Sequence, residues 1–282
     1  MKYFFYLRFD FEYLMGSYIK KFIYATTIII YKRKMRRFFI EKPDSESGNI
    51  SIVGTDANHI KNVLRMRIGD KISIVDGRGN EHLATIEKLT SGCVDVSVDA
   101  RIISNRESPV KIIIAQAYLK HKKMDFIVRQ ITELGVSQWT PFFAARSIPR
   151  PDDKQLAKRT ARWEMISREA LKQCRRNRLM KIRHPVPFKD ILKPECDCDL
   201  KIIFCTNETG HLATLLKSHN QPSALRIIMA LIGPEGGFTT QEIENAKAGG
   251  FITASLGPRI LRAETATVAV CTLLQHYFGD IC

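Results

Sequence analysis

Two glycine-rich segments near the C-terminus carry the residue types best suited to binding a ligand. Residues 231–238 read Leu-Ile-Gly-Pro-Glu-Gly-Gly-Phe and residues 256–266 read Leu-Gly-Pro-Arg-Ile-Leu-Arg-Ala-Glu-Thr-Ala, each after a short apolar run. Glycine allows close backbone approach and positive φ angles, so main-chain N–H and C=O groups can line a cavity. Two such loops facing one ligand suit a flat, polar, adenine-bearing cofactor, although either loop alone could be a simple βα turn.

Helices must follow both loops if the loops are to face one ligand. Thr239 and Glu242 have the spacing of a capping box, which predicts a helix directly after the first loop. The N-terminal N–H groups of that helix would then point at the loop before it. A last helix is predicted to begin near Ala263 and Glu264.

Several other chemistries lack their motifs in this sequence. It has no Gly-x-x-x-x-Gly-Lys-Ser/Thr loop, no third glycine after Gly77-x-Gly79, and no Gly-x-Ser-x-Gly elbow, so neither ATP hydrolysis, nor NAD binding, nor an α/β-hydrolase is supported. The seven cysteines are scattered, and Cys196 and Cys198 lack a matching second pair, so no metal site is predicted. We expect reduced thiols in a cytoplasmic protein.

From residue 106 onward, predicted strands alternate with predicted helices, and this pattern is typical of a parallel α/β sheet. Trp163, on the apolar side of a long helix predicted over residues 152–174, is interpreted as a core residue. The same helix and its exit carry many arginines and lysines, which could hold RNA. Strands are predicted at residues 110–115, 138–143, 201–205, 226–232 and 251–256.

Residues 35–105 show short strands and one brief helix, which together predict a small closed β-barrel. Thr55 is predicted to cap that helix, and residues 76–79 (Asp-Gly-Arg-Gly) are predicted to form a turn. A basic surface on this unit could rest on a phosphate backbone, and an ordinary solvated face is the alternative. The arginines expected to bind RNA are Arg36, Arg37, Arg65, Arg67 and Arg78.

The charge balance favours a partner that carries phosphates, such as RNA. The 282-residue chain has 44 Lys and Arg against 29 Asp and Glu, for a formal charge of +15. Lysine-rich codon usage alone is the alternative explanation. Residues 1–34 hold an apolar run too short to span a bilayer and are interpreted as an extension outside the fold, with no membrane partner. They carry seven Lys and Arg and two acids, so the rest of the chain has a charge of +10.

Several motifs together resemble one family, the small-subunit ribosomal RNA methyltransferase E family of the SPOUT class. The two C-terminal loops carry most of the resemblance, and together the motifs extend it over residues 35–279. The remaining motifs are Arg-Arg-Phe-Phe at 36–39, Asp-Gly-Arg-Gly at 76–79, Lys-Met-Asp at 123–125 and Thr-Glu-Leu-Gly at 132–135.

This resemblance implies a fold and an activity that composition and periodicity do not. The implied fold is an α/β SPOUT methyltransferase domain with a trefoil knot at 106–282, preceded by a PUA-like RNA-binding β-barrel at 35–105. The implied cofactor is S-adenosyl-L-methionine, and the implied reaction methylates N3 of one uridine in small-subunit (16S) ribosomal RNA within an assembled subunit. The implied assembly is a homodimer. The alternatives are a related ribose 2′-O-methyltransferase and a PUA-type RNA-binding protein without catalysis.

Uridine N3 carries a proton at neutral pH, so the site must remove it or stabilise the resulting anion. Arg262 and Arg259 could stabilise the anion, and Glu264 could orient an arginine or accept the proton. A structural ion pair or an acid favoured by the helix start is the alternative for Arg259 and Glu264. The residues expected to be catalytic are Arg262, Glu264 and Arg176.

The family pattern also implies the residues that bind the cofactor. They are Thr206, Glu208, Leu231, Gly233, Pro234, Glu235, Gly236, Leu256, Gly257, Arg259, Ile260 and Leu261. Family members usually read Glu-Gln-Cys/Ser-Gly-Arg after the long helix, whereas this chain has Lys172 for the acid and Arg175 for the glycine. Gln173 and Arg176 are expected to meet the target RNA, with a different local backbone and charge around them.

Overall fold

The computed structural model describes residues 35–40, 49–103, 106–148, 150–193, 197–206 and 226–281. The chain divides into two units. Unit 1 contains the described residues up to Val75 together with Glu81–Ile102, and unit 2 contains Asp76–Asn80 and the described residues from Ile103 onward. None of the helices in the described ranges is both long enough and apolar enough to cross a membrane.

Unit 1 is built on one five-stranded sheet with the strand order β1-β3-β4-β5-β2. β1 pairs with β3 in parallel, and the other neighbours are antiparallel. Alternate apolar residues on the strands form a core, and the expected closure of this sheet into a barrel stays a prediction. The strands are β1 (Arg37–Phe39), β2 (Asn49–Val53), β3 (Lys71–Val75), β4 (Glu81–Leu89) and β5 (Cys93–Arg101).

The brief helix of unit 1, α1 (Gly54–Asn58), begins differently from the prediction. Its N-cap is Val53, no side chain caps it, and Thr55 is exposed, so the predicted cap was wrong. Gly54 has a φ of +72°, which starts the helix in one residue directly after β2. The helix continues as a π-helical turn over His59–Val63, and Ala57 and Ile60 pack into the core.

Unit 2 is a parallel α/β structure, as the alternating pattern predicted. Its strands follow the order β12-β10-β11-β6-β7-β8, with β9 also pairing with β7, and every pairing is parallel. The trefoil knot implied by the resemblance stays a prediction. In chain order the elements are β6 (Lys111–Ala117), α2 (His121–Glu133), β7 (Gln138–Phe143), α3 (Asp153–Cys174), β8 (Lys181–Ile182), β9 (Val186–Pro187), α4 (Phe188–Ile191), β10 (Leu200–Phe204), β11 (Ile227–Ile232), α5 (Thr240–Ala248), β12 (Ile252–Ala254) and α6 (Ala263–Phe278).

Apolar side chains of the strands in unit 2 pack into two separate clusters, so both faces of its sheet are covered. Residues of α2, α3 and α6 pack in one cluster, and residues of α4 and α5 pack in the other. Trp163 on α3 is buried and meets Trp139 of β7 edge to face at 5.0 Å between ring centroids. The prediction that Trp163 is a core residue is therefore confirmed.

The turn between β3 and β4 forms as predicted, but it belongs to unit 2. The Asp76 carboxylate accepts hydrogen bonds from the backbone N–H of Arg78 (2.8 Å) and of Asn80 (3.1 Å). Burial alone would raise the pKa of Asp76, but these bonds and one from the Asn80 side chain lower it. The turn also donates from Gly79 N to Asn177 O at 3.0 Å, and Gly77 O accepts from Leu179 N at 2.9 Å.

The cysteines differ in part from the expectation of reduced thiols. Cys93, Cys174, Cys205 and Cys271 are free. Cys198 is disulfide-bonded, so the expectation was wrong for this residue.

Long basic side chains on α3 have specific partners and do not form one continuous free ridge. Arg159 donates to the Tyr118 hydroxyl at 2.6 Å, and Arg162 pairs with Asp125 at 2.8 Å. Tyr118 directly follows β6, and Asp125 lies in α2. These contacts fix α3 against its neighbours, while the Arg162 side chain stays 64% exposed.

Arg175 is the C-cap residue of α3 and adopts the left-handed conformation with φ 66° and ψ 25°. The family pattern has glycine at this position. A residue with a Cβ is destabilised by about 1 kcal/mol or more in the left-handed region. We therefore expect Arg175→Gly to raise the free energy of unfolding by about 0.5–1 kcal/mol, after allowing for the greater entropy of glycine in the unfolded chain. Urea denaturation checks this, and Arg175→Ala, which keeps the Cβ, should give no such gain.

Candidate functional site

A cavity of about 470 Å³ lies where β10, β11 and β12 end, at the carboxyl edge of the parallel sheet. Ligands of open α/β sheets bind at this edge, because the loops that leave the strands converge there. Both glycine-rich loops line the cavity. The predicted residues in its wall are Thr206, Gly233, Pro234, Glu235, Gly236, Leu256, Gly257, Arg259, Ile260, Leu261 and Arg262.

The first loop is folded tightly against its surroundings. A Cβ on Gly233 would lie 3.1 Å from the Phe238 ring, and one on Gly236 would lie 3.3 Å from Arg146 Cβ. Arg146 Nη1 donates to Gly236 O at 2.8 Å. Close packing therefore favours glycine at these positions, and the backbone N–H and C=O groups of the loop lie beside the cavity.

The helix after the first loop begins with the predicted capping box. Thr239 Oγ1 accepts from Glu242 N, and Glu242 Oε2 accepts from Thr239 N at 2.9 Å. The other Glu242 oxygen accepts from Ala145 N at 2.8 Å, so this buried carboxylate also ties the loop to the exit of β7. The prediction of a capped helix directly after the loop is confirmed.

The second loop ends at Arg262, which is the N-cap residue of α6. Its side chain makes no capping hydrogen bond, and both Arg262 and Arg259 are exposed and line the cavity. Gly257 has a φ of +109°, a conformation that favours glycine. Two arginines thus border the cavity where an anionic group of a substrate could be stabilised.

Lys123 of α2 joins the two loops, although the sequence reasoning did not select it as a site residue. Its Nζ lies 2.8 Å from Glu235 Oε1 in the first loop and 3.3 Å from Glu264 Oε2 in the first turn of α6. The three residues form a contact that we call the Lys123 bridge. The Lys-Met-Asp motif at 123–125 contributed to the family resemblance, but it did not indicate this contact between the loops.

A buried polar pair lies beneath the same loops. Gln116 at the end of β6 accepts a hydrogen bond from Thr267 Oγ1 of α6, and its amide nitrogen is 3.5 Å from Ile232 O, directly before the first loop. Both side chains are fully buried. The pair fixes α6 relative to the end of β11, because a buried amide is costly to leave without partners.

Replacing Thr267 with valine is expected to lower the free energy of unfolding by about 2 kcal/mol, since it leaves the Gln116 amide oxygen without its donor. Thermal or urea denaturation measures this. Thr272→Val is the matched control, because Thr272 bonds only backwards to Val268 O in the same helix among the contacts that the structure describes. Equal losses in the two variants would contradict the role of Gln116.

Some of the residues predicted to bind the cofactor or to act in catalysis do not lie in the wall of the cavity. Leu231 is fully buried inside β11 and supports the strand before the first loop. Glu264 contacts Lys123, as described above, and is outside the wall. Glu208 lies outside the described residues.

Arg176 is not brought to the loops, and this differs from its expected catalytic role. Its side chain is 5% exposed and pairs with Glu107 at 2.8 Å. Nη1 donates to Thr132 O and to Val136 O, both at 2.9 Å. The guanidinium is buried inside unit 2, where its hydrogen bonds fix the segment that follows α3. Gln173, one turn earlier, is exposed.

The arginines expected to bind RNA fall into three groups. Arg36, Arg65 and Arg67 are exposed on unit 1. Arg37 differs from the expectation, because its side chain is 7% exposed and lies 3.3 Å from Glu81 in the same sheet. Arg78 is exposed, but the turn that carries it belongs to unit 2.

Both units match domains known from RNA methyltransferases. A profile of the RNA methyltransferase domain matches residues 106–275, and a profile of the RNA methyltransferase PUA domain matches residues 53–99. The ribosomal RNA small subunit methyltransferase E of Bacillus subtilis is 33% identical over 86% of this chain and 96% of its own length. The enzyme of the same name from Buchnera aphidicola (Schizaphis graminum) is 32% identical over 89% of this chain and 99% of its own.

Two solved structures are similar throughout most of the chain. A methyltransferase from Legionella pneumophila in complex with S-adenosylmethionine has a TM-score of 0.80 and 31% identity, and the match covers 88% of this chain and 99% of that one. A ribosomal RNA small subunit methyltransferase E from Neisseria gonorrhoeae, bound to S-adenosylmethionine, has a TM-score of 0.79 and 29% identity, with 88% and 100% covered.

Proposed function

Because the chain belongs to the ribosomal RNA small subunit methyltransferase E family, we propose that it methylates N3 of one uridine in small-subunit ribosomal RNA with S-adenosyl-L-methionine as the donor. The observation that carries the proposal is that both family loops line one cavity at the carboxyl edge of the sheet. Nucleotide-like ligands commonly bind at this position of α/β folds.

The residues around the cavity fit this cofactor. The volume of about 470 Å³ lies in the range of small-molecule sites, and the apolar Ile232, Leu256 and Ala266 offer surfaces for an adenine ring. Backbone groups of the glycine-rich loops supply donors and acceptors for its polar parts. When bound, the cofactor supplies an activated methyl group on sulfur. The protein then has to align donor and acceptor and stabilise the changing charge.

For the target base, we assign the stabilisation of the N3 anion to Arg262, with Arg259 beside it. A guanidinium is a cation, and both side chains border the cavity. A cation near the uridine carbonyl oxygens favours loss of the N3 proton to solvent, because the negative charge of the anion is shared with those oxygens. Glu264 is held by Lys123, so we assign it a positioning role in place of the proton-accepting one.

We further propose that unit 1 holds the ribosomal RNA through exposed cations such as Arg36, Arg65 and Arg67. The assembled small subunit is the proposed substrate, the cytoplasm the proposed location, and residues 35–105 and 106–282 the proposed domains. A homodimer is also proposed. The apolar character of α6 supports a dimer only weakly, because Val270 and Leu274 are already buried in the core of unit 2.

The test is methyl transfer from labelled S-adenosylmethionine to small ribosomal subunits from a strain that lacks the modification, followed by nucleoside analysis. We expect the label in 3-methyluridine. Label that stays on the ribose after glycosidic cleavage would identify a ribose 2′-O-methyltransferase. Cofactor binding without transfer to competent subunits, or no cofactor binding, would indicate an RNA-binding protein without this activity.

A further inference from the structure

Lys123 lies behind the two cofactor loops and contacts an acid from each side. Glu235 belongs to the first loop, and Glu264 follows the second loop in the first turn of α6. Glu235 is part of the wall of the cavity, whereas Lys123 and Glu264 are outside it. The ammonium group is therefore placed to act on the loops and not on a ligand.

Two side chains of the Lys123 bridge, Lys123 and Glu264, are partly buried, and the third, Glu235, is exposed. Lys123 is 29% exposed, Glu235 40% and Glu264 18%. Fully exposed pairs contribute little, because water and salt screen them, but partly buried charge-assisted hydrogen bonds are stronger. Without the ammonium, the Glu235 and Glu264 carboxylates would lose the cation that contacts both of them, and like charges near each other repel.

The contact between Lys123 and Glu235 stays charged over the neutral pH range. The hydrogen bond to Glu235, followed by the contact with Glu264, raises the pKa of Lys123, although burial opposes this. Burial alone would raise the pKa of Glu235, but the hydrogen bond from Lys123 lowers it. Lys123 stays protonated until the pH rises above its raised pKa, and Glu235 stays ionised until the pH falls below its lowered pKa. The contact between them is therefore lost only at the acidic and alkaline extremes.

We infer that Lys123 is a positioning residue that sets the separation of the two loops and thereby the affinity for S-adenosylmethionine. The inference rests on the proposed function, because it concerns the same cavity. Gln116 and Thr267 already tie the same loops from below, so the bridge is a second, charged tie whose loss loosens the cavity without unfolding it. Loosening of this kind should weaken cofactor binding more than it slows methyl transfer within the bound complex.

The test compares Lys123→Met with Lys122→Met, its exposed neighbour on α2. Calorimetry measures the Kd for S-adenosylmethionine, and methylation assays on small subunits give kcat and KM. Loss of one charged contact corresponds to about a tenfold weaker Kd, so we expect that for Lys123→Met and no change for Lys122→Met. With saturating cofactor, kcat should fall by less than about threefold.

Two further variants separate positioning from a general structural role. Lys123→Arg keeps a cation that can reach both acids and should restore most of the affinity. The charge exchange Lys123→Glu with Glu235→Lys restores one of the two pairs and should bind the cofactor better than Lys123→Glu alone. If Lys123→Met does not fold, Glu264→Gln, which keeps the shape of the side chain, replaces it and should also weaken binding.

A Kd for Lys123→Met within about twofold of the wild-type value, in a folded protein, would overturn the inference. Equal weakening by Lys122→Met would do the same, since the effect would then reflect the charge of α2 in general. These results do not bear on the proposed function, because that proposal is tested on the wild-type protein alone. The proposed function fails separately, if wild-type protein binds no cofactor or forms no 3-methyluridine.

Discussion

Replacement of Arg262 by alanine is expected to lower the rate of methyl transfer by about two to three orders of magnitude, the usual loss when one preorganised charge-stabilising group is removed. Arg262 lines the cavity, and its side chain is exposed. It makes no capping bond to α6, so alanine should not disturb the start of the helix. The loss should therefore appear in the chemical step and not in stability, as measured by single-turnover transfer to small subunits.

Arg259→Ala provides the comparison, because it removes a neighbouring cation from the same loop. A smaller loss than that of Arg262→Ala is expected if Arg262 faces the base. Arg262→Lys keeps the charge but not the planar shape, so partial recovery would indicate electrostatic stabilisation. Nearly wild-type transfer by Arg262→Ala with an unchanged Kd for the cofactor would remove this residue from the mechanism.

The second large effect concerns stability: Arg176→Met is expected to lower the free energy of unfolding by about 3–5 kcal/mol, as when one partner of a buried ion pair is removed. Glu107 accepts from Arg176 Nε at 3.1 Å and Nη2 at 2.8 Å, and also from two backbone amides. The variant leaves this carboxylate without its counter-ion and leaves Thr132 O and Val136 O without their donor. Urea denaturation measures the change.

Arg178→Met is the control for this experiment, because Arg178 is two residues away and exposed. It should change stability by less than about 0.5 kcal/mol. The double variant Glu107→Gln with Arg176→Met should lose less than the sum of the single losses, because neither charge remains buried alone. A well-folded Arg176→Met protein with full stability but no activity would instead support the catalytic role expected from the sequence.

The elements of unit 2 are predictable because their signals are local. Strand β11 is a continuous apolar run, and most residues of β6, β7 and β10 are buried, as in strands covered on both faces. Thr239 with Glu242 marks a helix start within four residues. The same reliance on local signals explains why the beginning of α1 was missed. Gly54 starts the helix through its positive φ, whereas the sequence shows a more conventional capping residue one position later.

The contacts that hold the site together are not local, and this is why sequence reasoning missed them. Lys123 and Glu235 are 112 residues apart, and Gln116 and Thr267 are 151 residues apart. Nothing in the pattern around Arg176 shows that Glu107, 69 residues earlier, takes up its charge. A charged residue on a helix exit predicts a surface contact unless its buried partner is known.

The turn at Asp76–Asn80 limits how this protein can be divided or recombined. Although it connects two strands of unit 1, it is part of unit 2 and exchanges backbone hydrogen bonds with Asn177 and Leu179. A truncated chain that starts at residue 103 would lose this turn and leave those backbone groups without their partners. Transplanting another module in place of unit 1 therefore requires that the five residues of the turn be grafted into the new module.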